Sequence, residues 1–229
     1  MALYAIGDPH LSLSSPKSME VFGGSWVGYV DKLLAGFQCV APEDTVVLCG
    51  DLSWGMSLEE SLRDFAFLDA LPGGRKILLK GNHDYWWTTA SKMNRFFQEH
   101  GFRFELLHNN CLLYGDVALC GTRGWFLDEE KGGHNEKMLR REVIRLETSL
   151  QAAGDREKIV FLHYPPIYQG YRCSEILELL ERYQVRQCYF AHLHGPSIRL
   201  AVEGERNGTR FSLISADRLN FVPKRILDF

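Results

Sequence analysis

Seven side chains able to ligate a metal stand at five comparable places in the chain: Asp8 with His10, Asp51, Asn82, His163, and His192 with His194. Each place closes a short apolar run. Residues 2–6 lead into Gly7-Asp8-Pro9-His10, 45–49 into Gly50-Asp51, and 75–79 into Gly81-Asn82-His83-Asp84. Residues 158–162 end at His163, and 187–190 end at Ala191-His192-Leu193-His194. Asp8 and His10 are two apart, and an extended segment turns both side chains to one side with their Cα atoms about 7 Å apart. His192 and His194 repeat that spacing. Seven nitrogen and oxygen donors exceed what one tetrahedral zinc ion takes. They suit a dinuclear centre with ions about 3.5–4 Å apart and one carboxylate touching both. Singly, Asp8, Asp51 and Asn82 read as turn residues; together, at five strand ends, the set reads as a metal centre.

The elements that must carry these donors are short buried strands alternating with helical patterns at roughly 25–38, 58–71, 88–100, 135–153 and 174–183. Ser57 ahead of Leu58-Glu59-Glu60 offers an N-cap and an acidic first turn to one of them. Strand and helix in alternation argue for α/β layering, where ligands bind beyond the carboxyl ends of strands. Residues 104–107, 110–114 and 117–121 add strands, and 197–203 and 209–214 flank the hairpin signal Asn207-Gly208. Residues 122–134 form the longest expected loop, a length that often carries function. With 229 residues and no linker or repeat, a single domain over 1–229 is the expectation.

In their order and spacing these motifs resemble the calcineurin-like metallophosphoesterases. The family pattern D-x-H, G-D, G-N-H-D/E, a lone His and G-H-x-H stands here as Asp8-Pro9-His10, Gly50-Asp51, Gly81-Asn82-His83-Asp84, His163 and Ala191-His192-Leu193-His194. The one departure is Ala191 in place of Gly. The resemblance covers roughly residues 1–195 and implies an α/β fold of two packed mixed β-sheets flanked by helices, a four-layer sandwich. It further implies that Asp8, His10 and His194 serve one metal, that Asn82, His163 and His192 serve the other, and that Asp51 bridges. His83 then stands beside the substrate phosphate without ligating, with Asp84 orienting it.

The chemistry expected is hydrolysis of a phosphate mono- or diester by a metal-bridging hydroxide. Two divalent ions, two aspartates and a hydroxide leave about +1 facing the substrate, which favours a phosphate anion. Mixed nitrogen and oxygen donors suit Mn, Fe, Zn or Co. Arg123 is a candidate phosphate clamp, and Trp54, Tyr85, Trp86, Trp87, Trp125, Tyr168 and Tyr171 either wall a pocket or pack loops on the core. A formal charge of -3 gives no chain-wide basic field for nucleic acid. The nuclease alternative therefore rests on the late basic residues Arg206, Arg210, Arg218, Lys224 and Arg225. A non-catalytic scaffold on the same fold is the reading from another class; such a protein is expected to lose ligands. Six cysteines without CxxC spacing, no 18-residue apolar stretch and no basic leader at the N-terminus lead us to expect a cytoplasmic, reduced protein, off the membrane.

Overall fold

The computed structural model describes residues 1–126 and 133–228. The chain divides into two compact units, Met1–Leu106 with Ile214–Phe229, and Leu107–Leu213.

The first unit alternates strand and helix: β1 (Ala2–Ile6), α1 (Tyr29–Gly36), β2 (Thr45–Cys49), α2 (Leu62–Ala70), β3 (Arg75–Leu79), α3 (Ala90–Glu99) and β4 (Phe104–Leu106). The second comprises β5 (Cys111–Tyr114), β6 (Val117–Thr122), α4 (Gly133–Ala152), β7 (Lys158–Leu162), β8 (Ile167–Tyr168), β9 (Tyr171–Arg172), α5 (Ser174–Arg182), β10 (Gln187–Phe190), β11 (Gly204–Arg206) and β12 (Thr209–Leu213). The chain then returns to the first unit as β13 (Lys224–Asp228).

Each unit holds one mixed sheet with helices of its own. In the first the order is β13-β1-β2-β3-β4, parallel from β1 to β4, with β13 antiparallel against β1. In the second it is β11-β12-β10-β7-β6-β5, parallel from β12 to β6 and antiparallel at both edges. The parallel centres explain the sequence pattern. Strands β1, β2 and β7 are buried along their whole length, so they read as unbroken apolar runs. The first core gathers Phe65 with the rings of Trp86, Phe97 and Phe104. The second sets Leu146 and Leu150 of α4 with Ile176 and Leu180 of α5 beneath Val160 and Phe190. Each such fully buried side chain stabilises by about 1.5–3 kcal/mol.

Several expectations change. The helix over 25–38 is broken by Gly28 at φ 64°, leaving 3-10 turns on both sides of α1. The helix expected from 58 begins at Leu62, and Ser57 Oγ instead accepts from Glu60 N at 3.2 Å in the turn before it. The strand expected over 197–203 is a 3-10 helix, Gly195–Leu200, started by Pro196 and by the Ser197 hydroxyl, which accepts from His194 N at 2.9 Å. Strand β11 follows, and the turn at Asn207 and Gly208 has φ 48° and 78°, the left-handed pair a tight hairpin requires. Strand β13 had no counterpart in the sequence reading, because Lys224 and Arg225 look like surface charge until β1 supplies a partner. Of the expected 122–134 loop, Thr122 closes β6 and Gly133 opens α4, while 127–132 lie outside the described residues.

Candidate metal centre

In the first unit the ends of three adjacent parallel strands carry Asp8, Asp51 and Asn82. Asp8 N donates to Gly50 O at 2.9 Å, His10 N to Asp51 O at 2.9 Å, Leu11 N to Leu52 O at 3.0 Å, and Trp54 N to Leu11 O at 2.9 Å. These bonds zip the turn after β1 to the turn after β2. The segment between Asp8 and His10 is not extended, as the spacing had suggested: Asp8, His10 and Asp51 hold φ of 59°, 46° and 51°. Left-handed backbone costs a non-glycine residue about 1–2 kcal/mol. Asp8, His10 and Asp51 are nevertheless all buried. Ligand atoms of Asp8 and His10 come within 4.8 Å of one another, and His10 Nε2 lies 3.6 Å from Asp51 Oδ2.

The frame beneath this half-site is built from two further buried carboxylates. Asp84 accepts N–H bonds from Gly81 at 2.7 Å, Asp51 at 2.9 Å, Leu52 at 2.8 Å, Ser53 at 3.4 Å and the Trp86 indole at 3.0 Å. It thereby pins the Asp51 turn to the turn that carries Asn82 and His83. His83 N completes the exchange by donating to Asp51 Oδ1 at 2.7 Å. A Cβ at Gly81 would collide with the backbone N and carboxylate of Asp51, so only glycine allows the two turns to approach this closely. Asp64, fully buried on α2, accepts from Ser53 Oγ at 2.5 Å and from Leu13 N at 2.7 Å. Burial pushes its carboxyl above the usual range, against the pull of those two donors. Asp64 and Ser53 were missed in the sequence. A signal existed: Asp64, Phe65 and Leu68 share the buried face of α2 at helical spacing behind the buried N-cap Ser61, so a carboxylate sits where apolar residues belong.

His83 and Asn82 are partly exposed. The His83 ring lies 4.5 Å from Trp54, 5.8 Å from His10 and 6.0 Å from Tyr85 by centroids. Of the aromatic candidates, Trp86 and Trp87 are core residues, Tyr85 is exposed, and Trp54 is half-buried beside the histidines.

In the second unit His163 follows β7 and His192 follows its neighbour β10. His163 N donates to Arg123 O at 3.1 Å, and Ala191 N donates to His163 O at 3.1 Å, which ties the ends of β6, β7 and β10 together. Ligand atoms of His163 and His192 come within 4.8 Å of one another. The left-handed residue here is His192, φ 75°, and not Ala191, so alanine replaces the family's glycine without backbone cost. His194 is extended, at φ -123° and ψ 156°. Rings pack about this half-site: Tyr164 lies 4.5 Å and Phe126 5.9 Å from the His192 ring, and Phe126 also meets Tyr168 and Tyr171.

Arg123 is committed to structure on one side. Its Nη2 lies 3.4 Å from Glu142 Oε1, and its guanidinium carbon lies 4.7 Å from the Trp125 ring centre. Glu142 is fully buried on α4 and also takes Thr122 Oγ1 at 2.5 Å and Arg145 Nη1 at 2.6 Å. Among the described residues Arg123 Nε, itself buried, has no acceptor.

The donors fit divalent transition metals. The first unit supplies two buried carboxylates and an imidazole close together, an arrangement whose charge is costly to bury without a cation. The second supplies imidazole nitrogen donors.

The sequence model for calcineurin-like phosphoesterases matches residues 1–196. A comparison with curated proteins gives no match. Among solved structures, the phosphopantetheinyl hydrolase PptH of Mycobacterium tuberculosis aligns over 100% of this chain and 96% of its own, at 13% identity and TM-score 0.64. AQ665 of Aquifex aeolicus, of unknown function, aligns over 98% and 95% at 16% identity and TM-score 0.51. TT1561 of Thermus thermophilus aligns over 84% and 81% at 15% identity and TM-score 0.52. At these identities the likeness is one of fold.

Proposed function

The chain belongs to the calcineurin-like phosphoesterase family and is thus a metal-dependent phosphoesterase in class; we propose that it hydrolyses a small or medium-sized phosphate mono- or diester with two divalent transition-metal ions. The ligands in this proposal are Asp8, His10 and His194 for one ion, Asn82, His163 and His192 for the other, and Asp51 for both. The observation that carries it is the backbone at these residues. Nine non-glycine residues among those described adopt positive φ, and four of them are Asp8, His10, Asp51 and His192. Strain of this kind persists where the surroundings over-determine it, as at ligand sites.

When bound, the metals supply Lewis-acid stabilisation of the phosphoryl oxygens and a water acidic enough to act as nucleophile near neutral pH. The protein's part is to hold the donors and to place a proton. Asp84 and Gly81 set the turn on which His83 stands, and His83 donates to the leaving oxygen or stabilises its charge. Manganese, iron, zinc and cobalt all suit the donors.

The nuclease alternative gains no support. Of the late basic residues, Arg225 donates through Nε to Asp228 Oδ1 at 2.8 Å. A scaffold role is disfavoured because every proposed donor is present. No helix among the described residues is long and apolar enough to cross a membrane. A reduced, cytoplasmic setting is part of the same proposal, supported by six cysteines without CxxC spacing.

The test is elemental analysis of fully loaded protein, with about two ions per chain expected. It is paired with assays of phosphomonoesters, diesters and cyclic nucleotides, where chelation should abolish turnover and Mn²⁺ restore it. One ion or none, or hydrolysis indifferent to chelation, overturns the proposal.

A further inference from the structure

Trp54 lies three residues past Asp51, and its indole sits against two histidines. The ring centre is 5.1 Å from that of His10 at an interplanar angle of 21°, and 4.5 Å from that of His83 at 43°. The two imidazoles are 5.8 Å from each other. We propose that Trp54 is a positioning residue whose ring fixes the planes of His10 and His83, so that a metal ligand and the proton donor share one aromatic support. The inference rests on the phosphoesterase reading only for the role it gives His83.

Trp54 is well placed for this. Its backbone N–H donates to Leu11 O, so the indole hangs from the ladder joining the two ligand-bearing turns. Among the described residues its buried Nε1 has no acceptor; the ring packs against the first core and Lys17 Nζ lies 5.6 Å from its centre, so packing and not a hydrogen bond holds the indole. His83 is partly exposed on a turn and turns about two side-chain torsions, with the Tyr85 hydroxyl 3.5 Å from its Nδ1. A flat neighbour biases such a ring toward one rotamer by a few-fold to about tenfold. Proton donors need placement within about 0.5 Å to act. The wider indole covers both imidazoles.

The experiment compares Trp54→Ala, Trp54→Phe, His83→Ala and the double variant Trp54→Ala/His83→Ala, using phenyl phosphate and saturating Mn²⁺. Trp54→Ala should lower kcat about tenfold with KM little changed, and should raise the Mn²⁺ concentration for half-maximal activity a few-fold. Trp54→Phe should recover most of kcat. Adding Trp54→Ala to His83→Ala should lower kcat little further, because the tryptophan acts through that histidine. A full tenfold loss in the His83→Ala background, or Trp54→Phe as slow as Trp54→Ala, overturns the proposal. NMR gives a readout free of activity: His83 ring protons should lose a ring-current shift in Trp54→Ala, and an unchanged shift also overturns it. If the wild type hydrolyses no phosphate ester, the phosphoesterase reading fails, while the NMR result still decides the stack.

Discussion

The two units present their donors on different kinds of support. In the first, Asp8 and Asp51 carry charge, and the frame consists of buried carboxylates, Asp84 and Asp64, that gather backbone N–H groups. In the second, the donors are histidines, held by backbone bonds between strand ends and by the rings of Tyr164 and Phe126. Its buried carboxylate, Glu142, is matched by Arg123 and Arg145. A charged donor needs an exact backbone path, since a small shift of an unscreened charge costs much. A neutral imidazole needs its ring plane set, which packing does. The first unit therefore concentrates negative charge and strain, and the second supplies shape.

The sharpest way to break this contrast is Asp51→Asn. It removes the one carboxylate proposed for both ions and should abolish most metal binding and nearly all turnover, whereas Asp8→Asn should empty one site preferentially. Metal content measured beside activity decides it, and two ions retained in Asp51→Asn would remove the bridging role. His83→Ala should keep both ions and lower kcat about 10²–10⁴-fold, with a smaller loss for p-nitrophenyl phosphate than for alkyl phosphates. Loss of an ion would show that a ligand had been mistaken for a proton donor.

A smaller effect separates the two frames. Asp84→Asn keeps one oxygen but turns an amide N–H toward other N–H donors, which should cost about 2–4 kcal/mol through unmet buried groups. Metal affinity should fall with it, because the Asp51 turn loosens. Glu142→Gln should lower stability by a similar amount with metal content unchanged. Denaturant unfolding with and without Mn²⁺ reads both, and equal metal loss in the two variants would erase the distinction.

The smallest effect is one of pH. Burial raises the Asp64 carboxyl above its unfolded value, so the folded chain holds that proton more tightly. Its favourable contribution is thus full below the unfolded pKa of about 3.9 and is lost as pH rises through the raised value. Melting temperature of the wild type relative to Asp64→Asn should therefore decline as pH climbs from about 4 toward neutrality. Parallel curves would mean that the Ser53 and Leu13 bonds cancel the desolvation.

Five strands ending in donors were legible because a parallel, fully buried strand leaves an unbroken apolar run with a polar residue just beyond it. Gly81-Asn82-His83-Asp84 was legible as a motif, but the demand that makes position 81 glycine is a collision with Asp51, on a turn far earlier in the chain. The hairpin at Asn207-Gly208 was readable from local turn chemistry, whereas β13 was not, since its pairing with β1 joins the two ends of the chain. By itself the sequence determined the strand-end donors and the helical spacing between them, because both follow from local periodicity and residue chemistry. Only the tertiary structure decided that Asp8, His10 and Asp51 stand on left-handed backbone, that Asp84 and Asp64 gather the turns beneath them, and that Trp54 lies against two histidines. Each of these depends on groups far apart in the chain meeting across a few ångströms, and no local pattern encodes such a meeting.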